Sequence, residues 1–131
     1  ILMGGRLAEE LVFGKITSGA ANDIEKATGL ARKMVCEWGM SEELGPLAFK
    51  NDGDQIFLAR EVSHSNHISE KTSQLIDDEI KKIVMKAYQH GKELLTKHRK
   101  ALDMLAEALL EKEILNSTDI DEIVQSGVAS A

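Results

Sequence analysis

Cysteine occurs once in these 131 residues, at Cys36, and proline once, at Pro46. A lone thiol excludes an internal disulfide and a cysteine-built zinc site, and it suits a reducing, cytoplasmic setting. Positive charge is scarce: 16 Lys and Arg stand against 22 Asp and Glu, for a net charge of −6 and a pI near 5.2. Neutralising phosphates takes clustered Lys and Arg, so the composition argues against a nucleic-acid-binding module. The one compact basic run, Lys97-His98-Arg99-Lys100, reads as a complement to the negative end of a helix. No apolar run approaches the roughly 20 residues that span a bilayer, and no basic segment leads into an apolar one as in a secretion signal. Internal repeats and low-complexity stretches are absent too.

Apolar residues instead recur at helical spacing. Leu2, Met3, Leu7, Leu11 and Val12 place a first helix that is already under way at Ile1 and stops near Gly14. A loop over 15–21 leads to a second helix, whose stripe of Ile24, Ala27, Ala31, Met34, Val35 and Trp38 should face inward, with Gly39 as its stop. Gly45-Pro46 breaks the chain again. Ser69 is placed to cap the longest helix, which carries Ile76, Ile80, Ile83, Val84, Ala87, Gly91, Leu94 and Leu95 on one face. Leu102, Leu105, Ala106, Leu109 and Leu110 mark another helix, and Thr118 caps a short one through Val124. The predicted fold class is all-α, a helical bundle with at most a short hairpin or strand near residues 47–58. Residues 1–124 form the domain and 125–131 a flexible tail.

The chemistry concentrates in Thr17-Ser18-Gly19-Ala20-Ala21-Asn22-Asp23-Ile24-Glu25-Lys26-Ala27-Thr28. Asn22 is placed to cap the second helix, with Glu25 in the reciprocal position of a capping box. Asp23 then falls in the first turn, where free amide N–H groups favour a carboxylate by roughly 0.3–1 kcal/mol. Such a group serves equally as a surface complement to the helix dipole or as an oxygen ligand for zinc.

Three segments in order, Gly4-Gly5-Arg6-Leu7-Ala8-Glu9-Glu10, the Asp23 segment, and Trp38-Gly39-Met40-Ser41-Glu42-Glu43-Leu44-Gly45-Pro46, resemble the C-terminal peptidase domain of the FtsH family. These are membrane-anchored, ATP-dependent zinc metalloproteases of peptidase family M41. Weaker likenesses at Ile76-Asp77-Asp78-Glu79-Ile80 and Leu109-Leu110-Glu111-Lys112-Glu113 extend the resemblance from Gly4 to about Val124. It implies that Asp23 is the third protein ligand of a catalytic zinc. The other two ligands in the family are the histidines of HExxH, whose glutamate is the general base, and no HExxH occurs here. The chain alone is therefore expected to hold no catalytic zinc and to cleave no peptide.

The same resemblance makes one of Glu9 and Glu10, with a preference for Glu10, a candidate acceptor to orient a ligating histidine, the alternative being a solvent-exposed pair of helix carboxylates. It implies ATP bound by a domain not in this sequence, which has no Walker A segment, and a hexamer that degrades unfolded membrane and cytosolic proteins. The expected location is the bacterial inner membrane, or an equivalent organelle membrane, with this domain on the cytoplasmic side and the anchor outside these residues.

Other groupings are weaker. His64 and His67 lie three apart beside Asp52 and Asp54, a pattern that reads better as loop and turn than as a metal site. His90 and His98 belong to a solvated helix. Gly4 and Gly5, each costing roughly 1 kcal/mol inside a helix, suggest the close approach of a neighbouring helix, the missing HExxH one being the candidate. Apolar surface left uncovered should promote self-association. The alternative to the protease is a catalytically silent helical domain for oligomerisation or substrate docking.

Overall fold

The apolar periodicities become five α-helices in the computed structural model, which describes residues 1–49 and 68–129. They are α1 (Gly4–Phe13), α2 (Ala21–Cys36), α3 (Glu70–Lys97), α4 (Arg99–Lys112) and α5 (Ser117–Ala129), with a 3₁₀ turn at Ser18–Ala20. No strand occurs among the described residues, and the chain is all-α. Most of the segment foreseen as a hairpin, together with Asp52, Asp54, His64 and His67, lies outside the described residues.

The chain divides into two compact units. One gathers Leu2 and Ser18–Ala87, the other Ile1, Met3–Thr17 and Tyr88–Ala131. In the first, α2 and the N-terminal part of α3 bury Ala31, Val35, Cys36, Ile76 and Ile80 against Leu44, Phe49, Ile68, Ile83 and Val84. Removing a branched aliphatic side chain of this kind costs about 2–5 kcal/mol. Burial pushes the Cys36 thiol above its ordinary value, against the opposing pull of Arg32. The chain leaves α2 through Gly39, whose φ of 60° lets Met40 N–H return to the Met34 carbonyl at 3.0 Å. Ser41 then clasps α3: its hydroxyl donates to Glu79 Oε2 at 2.7 Å and accepts Leu44 N–H at 3.3 Å. Ser69 caps α3 as foreseen, its Oγ accepting Thr72 N–H at 3.2 Å.

In the second unit, α1 packs on α3 through Leu7, which closes on Gly91, and α5 packs on α4 through Gly127, which closes on Ala101. Gly14 ends α1 in the left-handed region, φ 63°, with its N–H on the Glu10 carbonyl at 3.0 Å.

Several expectations are corrected. α1 begins at Gly4 after a turn closed by Gly4 N–H on the Ile1 carbonyl, so the helix does not run through Ile1. A Cβ on Gly4 or Gly5 would meet nothing within 4 Å among the described residues, and the helix expected to approach them, the absent HExxH one, is not in this sequence, so that expectation is neither met nor overturned. Asn22 does not cap α2, because the 3₁₀ turn feeds straight into the helix and moves the cap position back to Ala20, which has no side-chain acceptor. Asn116, not Thr118, caps α5: its Oδ1 accepts Asp119 N–H at 2.9 Å while Asp119 Oδ2 accepts Asn116 N–H at 3.1 Å, a reciprocal box. α5 continues through Ala129, so residues read as the start of a tail are helical. Trp38 is 54% exposed, because it lies past the last turn of α2 and off its buried stripe.

Candidate functional site

Asp23 occupies the third position of α2, counted from its cap at Ala20. Ala20 is buried and anchors the 3₁₀ turn, so the start of α2 is fixed by packing where a capping side chain is lacking. The Asp23 side chain is half-buried, and among the described residues its carboxylate has no hydrogen-bond or ion-pair partner. It faces the positive end of the helix with both oxygens available. A charged oxygen donor held on a rigid first turn is what a zinc site takes from a carboxylate. No group of three His, Cys, Asp or Glu side chains comes together among the described residues, so Asp23 is a single potential ligand and not a complete centre.

Glu9 and Glu10 lie next to each other on α1, in the other unit. Their side chains have different partners. Both Glu9 oxygens accept the Thr17 hydroxyl, at 3.1 and 2.9 Å, and Oε2 also accepts Thr17 N–H at 3.4 Å. Glu9 thus holds the exposed loop that follows Gly14. Glu10 accepts the Tyr88 hydroxyl from α3 and pairs with Lys92 Nζ at 3.8 Å. The Glu10 carboxylate, by accepting that bond, raises the Tyr88 phenol above its ordinary value; partial burial adds to this and Arg6 works against it.

Tyr88, Lys92, Thr17, Ser41 and Glu79 were not singled out by sequence reasoning. Tyr88 and Lys92 share one face of α3 through their i, i+4 spacing, a signal available in the sequence, but nothing local ties either to a glutamate on α1.

The model of peptidase family M41 matches residues 1–123. Among curated proteins, the chain is 51% identical over 123 residues to an ATP-dependent zinc metalloprotease FtsH of Thermotoga maritima, which covers 94% of this chain and 20% of that protein. A protein of the same name from Myxococcus xanthus is 50% identical over 125 residues, covering 95% of the chain and 20% of the relative. The one from Pseudothermotoga lettingae is 48% identical, with the same coverage. The chain spans about a fifth of the length of these relatives. With the family model matched from Ile1 to Ile123 and half the residues shared with such proteins, the chain belongs to peptidase family M41.

Proposed function

We propose that this chain is the C-terminal part of the peptidase domain of an ATP-dependent, membrane-anchored zinc metalloendopeptidase that degrades unfolded membrane and cytosolic proteins, and that Asp23 is its acidic zinc ligand. Asp23 supports this through its unpartnered, half-buried carboxylate on the first turn of α2. The metal, when bound, supplies a Lewis acid for peptide hydrolysis. Asp23 contributes charge and orientation. Both histidine ligands and the general base belong to an HExxH segment of the parent protein outside these residues, so the chain alone neither retains zinc nor cleaves. ATP binding, hexamer formation and membrane anchoring at the cytoplasmic face of a bacterial inner membrane are assigned to the parent protein in the same way.

Of the two glutamates, Glu9 suits the histidine-orienting role better than Glu10. Glu10 is committed to Tyr88 and Lys92 on α3, whereas Glu9 is held only by an exposed loop residue that can be exchanged for an imidazole N–H.

The test uses the full-length parent protein. Zinc content and casein hydrolysis are measured for the unmodified protein, Asp23→Ala and Glu9→Gln. One zinc per chain, lost with cleavage in Asp23→Ala and weakened about 10–100-fold in Glu9→Gln, is the expected result. Zinc and cleavage that persist in Asp23→Ala remove Asp23 from the site. A full-length protein that binds no zinc leaves the docking domain as the better reading, for which the exposed Phe13, Met40, Leu110 and Ile114 provide apolar surface.

A further inference from the structure

The three contacts between Thr17 and Glu9 are not equivalent. Thr17 Oγ1 lies 2.9 Å from Glu9 Oε2 and 3.1 Å from Oε1, and Thr17 N–H reaches Oε2 at 3.4 Å. A hydroxyl carries one proton, so it is donated in full to one oxygen only. Oε2 is the nearer and also meets the backbone N–H, so the proton goes there. Oε1 then keeps its lone pairs for another donor. Glu10, the next residue of α1, has no such division: the Tyr88 hydroxyl is on its Oε2 and Lys92 Nζ faces its Oε1 at 3.8 Å.

The turn after α1 builds this clasp. Gly14, in the left-handed region, closes the helix on the Glu10 carbonyl and turns the chain back, so that Thr17 meets a side chain eight residues before it. Residues 14–19 are exposed. A hydrogen bond between such groups adds little net stability, because each partner bonds to water when the other is removed. What two donors on one oxygen provide is direction. They fix the plane of the Glu9 carboxylate and with it the line along which Oε1 accepts.

We propose that Thr17 is a positioning residue for the zinc site of the parent protein: it holds Glu9 by Oε2 and leaves Oε1 to accept the N–H of a ligating histidine. The proposal rests on the histidine-orienting role of Glu9 and adds the residue that sets the direction of its carboxylate. Only the longer Thr17 contact, the one on Oε1, is given up to the imidazole. Thr17 acts through Glu9 alone.

Zinc affinity of the full-length parent protein, measured by competition with a chromogenic chelator, tests the proposal, together with melting of the zinc-stripped protein followed by circular dichroism. Thr17→Val keeps the shape and the N–H of the residue and removes its hydroxyl. It should weaken zinc binding about tenfold, the lower end of what losing an outer partner costs, and leave the melting curve where it was. Thr17→Ser should bind zinc like the unmodified protein. In a Glu9→Gln background Thr17→Val should cause no further loss, because the carboxylate it orients is gone. A loss that Thr17→Ser shares in full, a second full loss in the Glu9→Gln background, or a zinc-stripped Thr17→Val protein that melts earlier overturns the proposal. Zinc weakened in Glu9→Gln but not in Thr17→Val overturns it alone, whereas unchanged zinc affinity in Glu9→Gln removes the role of Glu9 and that of Thr17 with it.

Discussion

The substitution Gly127→Ala sets helix propensity against packing in a way the structure resolves. A Cβ at Gly127 would lie 2.7 Å from Ala101 Cβ, 2.8 Å from Ala101 Cα and 3.1 Å from Ala101 N. Two of those atoms are backbone at the start of α4, so no rotamer change relieves the overlap. Overpacking of this kind costs about 1–3 kcal/mol, and rigid opposing atoms place it toward the upper end. Replacing a helical glycine by alanine returns about 1 kcal/mol at most. The net expectation is a loss of about 1–2 kcal/mol. Gly29→Ala in α2 is the control, because a Cβ there meets nothing within 4 Å and only the propensity gain remains. Urea unfolding followed by circular dichroism reads both variants. With a slope of about 2 kcal/mol/M, the two midpoints should part by roughly 1 M, on opposite sides of the unmodified chain. Midpoints that move together, or a Gly127→Ala midpoint at or above the original, would refute the packing between α4 and α5 described here.

Two further perturbations have definite signs. Tyr88 is the sole tyrosine, so alkaline titration by ultraviolet absorbance reads its phenol directly, and the midpoint should lie above about 10 and fall back in Glu10→Gln. Because the folded state holds that proton more tightly than the unfolded chain, the stability Tyr88 contributes is intact below pH 10 and is lost as pH rises through the raised value. A folded-state midpoint at the ordinary value would remove the Tyr88–Glu10 bond from the fold. Ser41→Ala deprives the buried Glu79 of its hydroxyl donor and Leu44 N–H of its acceptor, for a loss of about 1–3 kcal/mol in thermal or urea unfolding. Adding Glu79→Leu should recover part of that loss, and strict additivity of the two changes would contradict their coupling.

Much of the fold was legible because its signals are local. Ser69 and Gly14 terminate helices by chemistry contained within four residues, and the stripe Ala31, Val35, Ile76 and Ile80 is buried as its spacing predicts. The misses arise where a neighbouring element decides. Asn22 has the right side chain for a cap, but the turn at Ser18–Ala20 starts the helix before it, and Thr118 yields to Asn116 because the Asn116–Asp119 pair satisfies both of its ends. α5 extends past Val124 because Gly127 allows close contact with Ala101, a long-range condition invisible in the local pattern. At the candidate site, the position of Asp23 in the first turn of α2 was readable. The Tyr88 and Thr17 partners that distinguish Glu10 from Glu9 were not, since those pairs are set by tertiary packing.

The division of the chain at the Ala87–Tyr88 bond falls inside α3, and it separates the two residues that absorb and emit most strongly in the near ultraviolet. Trp38, the only tryptophan, belongs to the unit holding the Val35 core, and Tyr88, the only tyrosine, belongs to the other. The chain therefore has one native optical reporter for each unit. Their unfolding transitions can be followed separately in one sample without introducing a label. Coincident transitions would mean that α3 melts as a single cooperative rod, and staggered ones that the helix can fray from one side while the other remains folded.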